Sequence, residues 1–270
     1  MSTYTNTITS IAIGSFDGIH IAHHALISQA EAIVVIERGQ GYLTPGFKRS
    51  WYTDKPLFFY LLEQVRGLSA AAFVARLEED FPSLERIVVG YDFGFGQGRE
   101  GDAEHLRVLF RGEVVIVSEV MHDGVSVHSR VIRKHLISGE IEAANALLGR
   151  PYRIDGDVIV GQGIGARELV PTLNLRVRDY QLPREGVYAS RTRIGGVWLP
   201  SVSFLGHRVT TDGSYAVESH VLDHDIGAVK GQVFIEFVAR IRDNRKFDSL
   251  STLRSRIQDD IAKAREMLNG

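Results

Sequence analysis

The sequence predicts two folded domains, an α/β domain with a doubly wound parallel sheet and then a small antiparallel β-barrel domain with a terminal helix. The length of 270 residues suits two domains of ordinary size. In the first half, short apolar runs alternate with helical segments, which is the pattern of a parallel sheet covered on both faces. In the second half, strand-like runs follow one another with turn residues and no helix between them, which is typical of a barrel.

Each element of the first half follows from its own run of residues. Runs rich in Ile and Val predict strands at 11–13, 33–36, 87–89 and 113–117. Helical patterns predict helices at 25–32, 56–68, 69–79 and 101–110. A helical pair at 131–138 and 140–148 ends at Gly149 and Pro151, a sound helix stop. We therefore predict the domains 1–148 and 149–270.

In the second half the pattern changes to short strands separated by turns. Short runs bounded by turn signals predict strands at 156–160, 186–192, 197–204, 215–222 and 231–241. The tail predicts an amphipathic helix capped by Asp248 or Ser249. Its apolar face carries Leu250, Leu253, Ile257, Ile261, Ala264 and Leu268.

Composition excludes several classes of protein. Hydrophobic residues make up 44% and charged residues 24% of the chain, which is typical of a globular protein with real cores. The formal net charge of -2 gives no general attraction to nucleic acid or anionic lipid. The lack of cysteine excludes disulfides, thiolate catalysis and cysteine zinc sites. Without a signal-peptide pattern or a long apolar stretch, we expect a soluble cytoplasmic protein that binds neither nucleic acid nor membrane.

The first candidate site is the glycine-containing turn between the first strand and the first helix. Ligands of open parallel sheets bind where strands end and helices begin, and a helix N-terminus offers amides to a phosphate. His20 and His23 share the start of the helix and can donate hydrogen bonds to a phosphate whose charge grows in the transition state. A solvated or packing pair is the alternative, and a metal pair would need a third ligand that the neighbouring sequence does not offer.

A family resemblance enters with this turn. The segment Gly14-Ser15-Phe16-Asp17-Gly18-Ile19-His20-Ile21-Ala22-His23 resembles the signature of prokaryotic bifunctional riboflavin kinase/FMN adenylyltransferases, a branch of the HxGH nucleotidyltransferases. Ala22 replaces the usual glycine between the histidines. The resemblance implies a Rossmann-like nucleotidyltransferase domain, with His20 and His23 as catalytic residues. It also implies that Gly14 and Phe16 bind the ATP phosphates.

Two further segments follow in the family order. Gly90-Tyr91-Asp92-Phe93-Gly94-Phe95-Gly96 resembles the segment that lines the flavin side, which implies flavin contacts for Asp92, Phe93 and Phe95. Gly94 stands where an arginine is usual. Val127-His128-Ser129-Arg130-Val131-Ile132-Arg133 resembles a segment that implies ATP contacts for Ser129 and Arg133. From the residues alone, plain turn packing and a surface arginine are the alternatives.

One segment departs from the family. After the strand at 33–36 the family carries Thr-Phe-x-Pro-His-Pro, whereas this chain has Glu37-Arg38-Gly39-Gln40-Gly41 and lacks the histidine. A riboflavin kinase with an inactive or altered adenylyltransferase half therefore stays open.

The second candidate site lies in the barrel. The glycine-rich run Gly161-Gln162-Gly163-Ile164-Gly165 suits a phosphate chain or a plain hairpin turn. Pro171-Thr172-Leu173-Asn174-Leu175 resembles the Pro-Thr-Ala-Asn-Leu signature of riboflavin kinases, which implies that Thr172 and Asn174 hold Mg²⁺ and ATP phosphates. Glu218 occupies the family's catalytic-carboxylate position, and a carboxylate suits a base for a primary hydroxyl.

The resemblance covers nearly the whole chain. It implies phosphorylation of riboflavin to FMN by the C-terminal domain and adenylylation of FMN to FAD by the N-terminal domain. The implied partners are riboflavin, FMN and ATP, with Mg²⁺ as cofactor; the oligomeric state is not indicated. From another class, a non-enzymatic flavin-binding regulator is possible, but intact His20, His23, Thr172, Asn174 and Glu218 argue against it.

Overall fold

The computed structural model describes residues 6–39, 41–160, 170–208 and 213–269. Contacts divide the chain into two compact units, Met1–Ser129 and Arg130–Gly270. The boundary at 148/149 concerns the functional halves and stays a prediction.

The first unit is built on a parallel sheet with helices on both faces. Its strands are β1 Ser10–Gly14, β2 Ala32–Glu37, β3 Leu57–Leu61, β4 Arg86–Gly90, β5 Gly94–Phe95, β6 Gly101–Asp102, β7 Glu113–Val117, β8 Met121–His122 and β9 Val125–Ser126. Its helices are α1 Ile21–Ile27, α2 Leu62–Val65, α3 Ala70–Asp80 and α4 Ala103–Leu109, with 3₁₀ turns at Gly46–Tyr52 and Gln97–Arg99. The main sheet has the order β3-β2-β1-β4-β7, with every pair parallel.

Alternation along the central strand produces a core on each face of this sheet. Ile11 and Ile13 join one buried cluster, which includes residues of α3 and α4. Ala12 faces the other way, into a cluster with residues of α1. Because both faces of the strands are buried, the predicted doubly wound α/β fold is confirmed.

Three predicted helices need correction. The helix predicted at 56–68 is wrong: Leu57–Leu61 forms strand β3, and only Leu62–Val65 is helical. Tertiary pairing decides here, because Leu57 to Leu61 lie in register with β2 and their aromatic side chains suit a strand. The helix predicted at 25–32 starts earlier and ends at Ile27, and the one at 101–110 begins at Ala103 because Gly101–Asp102 pairs with β5.

In the residues that the structure describes, the second unit consists of a closed barrel and three helices. Its strands are β10 Tyr152–Ile159, β11 Leu173–Arg176, β12 Gly186–Ile194, β13 Val197–His207, β14 Tyr215–Val221 and β15 Gln232–Asp243. They close in the order β10-β11-β14-β13-β12-β15, and every pair is antiparallel. Its helices are α5 Ser129–Ser138, which begins at the last residue of the first unit, α6 Ile141–Leu148 and α7 Leu250–Asn269. The predicted barrel and terminal helix are confirmed, and the short strand β11 is an addition.

Hydroxyl groups fill part of the barrel interior. The side chains are fully buried and linked by hydrogen bonds of 2.6–2.9 Å, and they belong to Ser190, Thr192, Ser201, Ser203 and Ser219. Because each hydroxyl is both donor and acceptor, this chain satisfies polar groups that would otherwise destabilise the core.

Helix α7 covers the outside of the barrel. Ile261 and Ala264 pack against Val187, Ala189 and Val202. Ser249 caps the helix by accepting a hydrogen bond from the Thr252 amide at 3.2 Å, as predicted. The predicted apolar face is interrupted, since Leu250 is exposed. At buried Asp260, both carboxylate oxygens accept from Nε of Arg242 at 2.9 Å.

Helix α6 belongs with the barrel. The amide of Asn145 donates to the Phe237 carbonyl at 2.9 Å, and its oxygen accepts from the Tyr152 amide at 2.7 Å. Ile141 and Leu148 are buried in this unit.

Among the described residues, none of the helices combines the length and the apolar character that a membrane crossing requires.

Candidate active sites

The turn after β1 has an unusual backbone that places the first site. Phe16, Gly18 and Ile19 have φ values of 45°, 97° and 41°. The left-handed region costs a non-glycine residue on the order of 1–3 kcal/mol, so this turn persists only because its surroundings hold it. Burial supplies that hold, since Phe16 and Ile19 are completely buried.

The two histidines of this turn cap helix α1 together. The His23 amide donates to Nδ1 of His20 at 3.3 Å, and the His20 amide donates to Nδ1 of His23 at 3.4 Å. Their rings are stacked, with centroids 3.5 Å apart and planes 16° apart. Because each Nδ1 accepts a hydrogen bond, a neutral ring carries its proton on Nε2, the atom that a phosphate oxygen needs as a donor. His24 is exposed.

Ser129 joins the site from far along the chain. Its hydroxyl donates to the Asp17 carbonyl at 2.7 Å and lies 3.3 Å from Nε2 of His20. The structure therefore brings His20, His23 and Ser129 together beside Gly14 and Phe16. Arg133 lies in α5 of the second unit, and its role with ATP stays a prediction.

Two buried charged residues make contacts with the chain after β2, where the family's histidine motif is missing. The Asp17 carboxylate accepts from the amides of Leu43 and Thr44 at 3.1 and 2.9 Å. Arg49, with a side chain 1% exposed, pairs through Nη1 with Glu37 at 2.8 Å. Burial also raises the pKa of the Tyr42 phenol. The chain after β2 is thus tied to the histidine turn without the family's motif.

The loop after β4 carries the residues for which flavin contacts are predicted. Asp92 is exposed, and its Oδ2 lies 3.9 Å from Nδ1 of His128. Phe93 stacks on Phe95 at 5.5 Å. Phe95 itself is 6% exposed and belongs to the core, so its ring supports the loop and offers little surface to a flavin.

Arg99 occupies the space beside Gly94, where the family has an arginine. A Cβ added at Gly94 would lie 2.6 Å from Nε of Arg99. The same guanidinium donates through Nη2 to the Asp92 carbonyl at 3.1 Å. A guanidinium group from a residue five positions later thus lies beside position 94.

The second site lies on the outward face of β11 and β14. Asn174 and Glu218 are direct partners in the antiparallel pair. Leu173 and Leu175 are buried, while Thr172 and Asn174 are half-buried and share the opposite side of the segment. Glu218 is also half-buried, so the structure brings the metal and base candidates together. The predicted phosphate-binding Gly161, Gly163 and Gly165 lie outside the described residues.

Arg208 is a member of this site that sequence reasoning missed. Its Nη2 donates to Oε1 of Glu218 at 2.6 Å and to Oδ1 of Asn174 at 2.5 Å. Its Nε also donates to Oε1 of Glu218, at 2.7 Å. The sequence patterns that predict strands and turns do not single out this arginine. Arg49 was missed for the same reason, because both arginines act through contacts with residues distant in the chain.

The donors of the second site fit a hard cation. Amide, hydroxyl and carboxylate oxygens are the ligands that Mg²⁺ accepts, and the convergence of two of them on the Arg208 guanidinium shows that they attract positive charge. In the part of the chain that the structure describes, no cluster of three or more His, Cys, Asp or Glu side chains is arranged to hold a metal. Thr172 and Asn174 are the residues of this site that could hold such a cation.

Comparisons with known proteins give a consistent result. A family model described as Flavokinase, riboflavin kinase, matches residues 148–268. The chain is 30% identical over 284 residues to a bifunctional riboflavin kinase/FMN adenylyltransferase of Pseudomonas fluorescens, with 94% of this chain and 91% of the relative covered. A protein of the same description from Listeria monocytogenes is 30% identical over 288 residues, with 95% and 91% covered.

A solved structure has a similar fold. It is described as a macrolide-efflux protein from Streptococcus pneumoniae and superposes with a TM-score of 0.85 at 26% identity. The superposition covers 98% of this chain and 95% of that one. The likeness thus extends through both compact units.

Proposed function

The chain belongs to the family of bifunctional riboflavin kinase/FMN adenylyltransferases, and from this premise we propose how its residues carry out the two reactions. It phosphorylates riboflavin to FMN and adenylylates FMN to FAD with release of pyrophosphate, using ATP in both steps. The observation that carries this function is a 30% identity that spans 94% of the chain and therefore both candidate sites.

We assign adenylyl transfer to the turn after β1. His20 and His23 would donate from Nε2 to phosphate oxygens of ATP as the FMN phosphate attacks, while the backbone of Gly14 and Phe16 receives the nucleotide. The support is the stacked, mutually capped pair, which fixes both rings before substrate binds. Ser129 holds His20, and Arg133 is proposed to contact the ATP phosphates. Asp92 and Phe93 are proposed to contact the flavin, with Phe95 as their support.

We assign riboflavin phosphorylation to the outward face of β11 and β14. Glu218 would accept the proton of the riboflavin hydroxyl as that oxygen attacks the terminal phosphorus of ATP, whose bond to the bridging oxygen breaks so that ADP leaves. Thr172 and Asn174 would hold Mg²⁺, which when bound neutralises phosphate charge. The glycines of 161–165 are proposed to bind the phosphate chain. The pairing of Asn174 with Glu218 supports this, because it sets the proposed base beside the proposed metal ligand.

The partners that follow are small molecules, namely riboflavin, FMN and ATP. The cytoplasm, which supplies ATP, is the proposed location.

One experiment tests the whole assignment. Purified full-length protein is incubated with riboflavin, ATP and Mg²⁺, and flavins are separated by chromatography over time. We expect FMN to appear first and FAD to follow. FMN without FAD would favour the kinase-only alternative and make Glu37–Gly41 the suspect segment, whereas a lack of both products would refute the function.

A further inference from the structure

Arg208 holds two residues of the kinase site at once. One guanidinium contacts Oε1 of Glu218 through Nε and Nη2, at 2.7 and 2.6 Å, and Oδ1 of Asn174 through Nη2 at 2.5 Å. A third nitrogen, Nη1, donates to the Ser214 hydroxyl at 2.9 Å. The side chains of Arg208 and Glu218 are only 19% and 21% exposed, so the ion pair is largely removed from water.

The sheet already positions the two residues that Arg208 contacts. Asn174 and Glu218 are register partners on adjacent antiparallel strands, and backbone pairing sets their spacing. An arginine is therefore not needed to bring them together. Its contacts instead concern the charge of Glu218 and the lone pairs of the Asn174 oxygen.

A guanidinium and a metal ion compete for the same position. Mg²⁺ requires ligand oxygens at close range in near-octahedral geometry, and a guanidinium nitrogen 2.5 Å from Asn174 Oδ1 competes with the ion for that oxygen. Two cations at this distance also repel each other, most strongly where water is scarce. Binding of metal at Asn174 thus requires that Arg208 give up its contact with that oxygen.

We infer that Arg208 is a placeholder cation of the kinase site, which neutralises Glu218 and occupies Asn174 until the divalent metal arrives with the nucleotide. The inference rests on the proposed function of this site. Arg208 is a positioning residue in this scheme, because it acts through Glu218 and Asn174. Until the exchange takes place, Glu218 and the Asn174 oxygen remain bound to Arg208, and this sets the metal dependence of the kinase half.

The test measures metal affinity directly. Mn²⁺ is titrated into full-length protein with and without a non-hydrolysable ATP analogue, and free Mn²⁺ is followed by electron paramagnetic resonance. The Arg208→Gln variant lacks the charge-assisted hydrogen bonds that compete with the metal. Its affinity for Mn²⁺ should therefore be higher than that of the unmodified protein by on the order of tenfold. The melting temperature of this variant should also rise more on Mn²⁺ addition than that of the original protein.

A matched control comes from the same barrel. Arg153 pairs with Glu236 at 2.5 Å at similar burial, so Arg153→Gln removes an equivalent ion pair away from the site. Its Mn²⁺ affinity should equal that of the unmodified protein. Should Arg208→Gln fail to fold, Arg208→Lys keeps the charge, loses the forked contact and should tighten Mn²⁺ binding severalfold.

The outcomes separate this inference from the proposed function. If the unmodified protein makes FMN and neither Arg208 variant binds Mn²⁺ more tightly, the placeholder role is wrong and the kinase assignment stands. If the unmodified protein makes no FMN, the proposed function fails whatever the Mn²⁺ titration shows.

Discussion

Arg49 donates a hydrogen bond from Nε to the carbonyl oxygen of Phe16 at 3.2 Å, across 33 positions of the chain. Phe16 is the first residue with positive φ in the turn after β1. The same guanidinium pairs with Glu37, the first residue of the segment that departs from the family pattern. An ion pair with a buried arginine therefore supports the turn after β1 at the place where the family's histidine motif is missing.

Replacing Arg49 should weaken the first unit and its chemistry together. Arg49→Met leaves Glu37 without its cation in a setting where its side chain is 15% exposed, which should cost about 3–5 kcal/mol in the free energy of unfolding. FAD formation should fall while FMN formation persists. Urea unfolding and flavin chromatography check this, with Arg86→Met as control, because the exposed Arg86–Glu113 pair should contribute under about 1 kcal/mol. Equal losses in both variants would contradict the role of Arg49.

The histidine pair can be tested separately from the helix cap that it forms. Asn is a good N-cap, so His20→Asn should preserve helix α1 and lose only the imidazole. We expect FAD formation to fall on the order of a hundredfold per folded molecule, with little change in FMN formation. His23→Ala should behave similarly, and the exposed His24→Ala should leave both rates unchanged. Near-normal FAD synthesis in a stable His20→Asn protein would rule out the site.

Removing the proposed base should separate the two activities. Glu218→Gln keeps the shape of the side chain and loses its capacity to accept a proton, so FMN formation from riboflavin should disappear. Conversion of added FMN to FAD should continue, because we assign that chemistry to the other unit. Glu236→Gln, in the barrel and away from the site, is the control. If Glu218→Gln lost both activities while still folded, the two-site assignment would be untenable.

The proposed metal ligands should give a metal-dependent defect. Thr172→Ala and Asn174→Ala remove oxygen ligands, so riboflavin phosphorylation should slow at low Mg²⁺ and recover in part at high Mg²⁺. Initial rates over a Mg²⁺ series measure this, with exposed Thr252→Ala as the control. Unaltered Mg²⁺ curves in both variants would remove these residues from the metal site.

A fragment of the second unit should be more stable when it includes helix α6. A fragment of residues 130–270 keeps Asn145 and the buried Ile141 and Leu148, whereas a fragment of 149–270 loses them. Each buried leucine or isoleucine stabilises a fold by about 1.5–3 kcal/mol, so the longer fragment should melt at a clearly higher temperature. It should also phosphorylate riboflavin without the first unit. Equal melting temperatures would mean that α6 adds nothing to the barrel.

Local patterns carried much of the fold and part of the sites. Continuous Ile and Val runs predicted four of the five strands of the parallel sheet, and turn-separated runs predicted all of the described barrel strands except β11. The prediction failed at 57–61, where an aromatic run has no decisive periodicity and its pairing with β2 makes it a strand. The sequence identified His20, His23, Asn174 and Glu218 because they lie in short motifs that follow one another along the chain in the family order.

The sequence by itself determined two domains of different class, the glycine-containing turn with its two histidines and the carboxylate of the barrel, because these depend on residues close together in the chain. The tertiary structure alone decided which distant groups support them. Ser129 reaches His20, Arg49 reaches Phe16, and Arg208 bridges Asn174 and Glu218. Such contacts form because the strand order and the paths of the connecting loops bring distant segments of the chain together. No local periodicity in the sequence encodes that geometry.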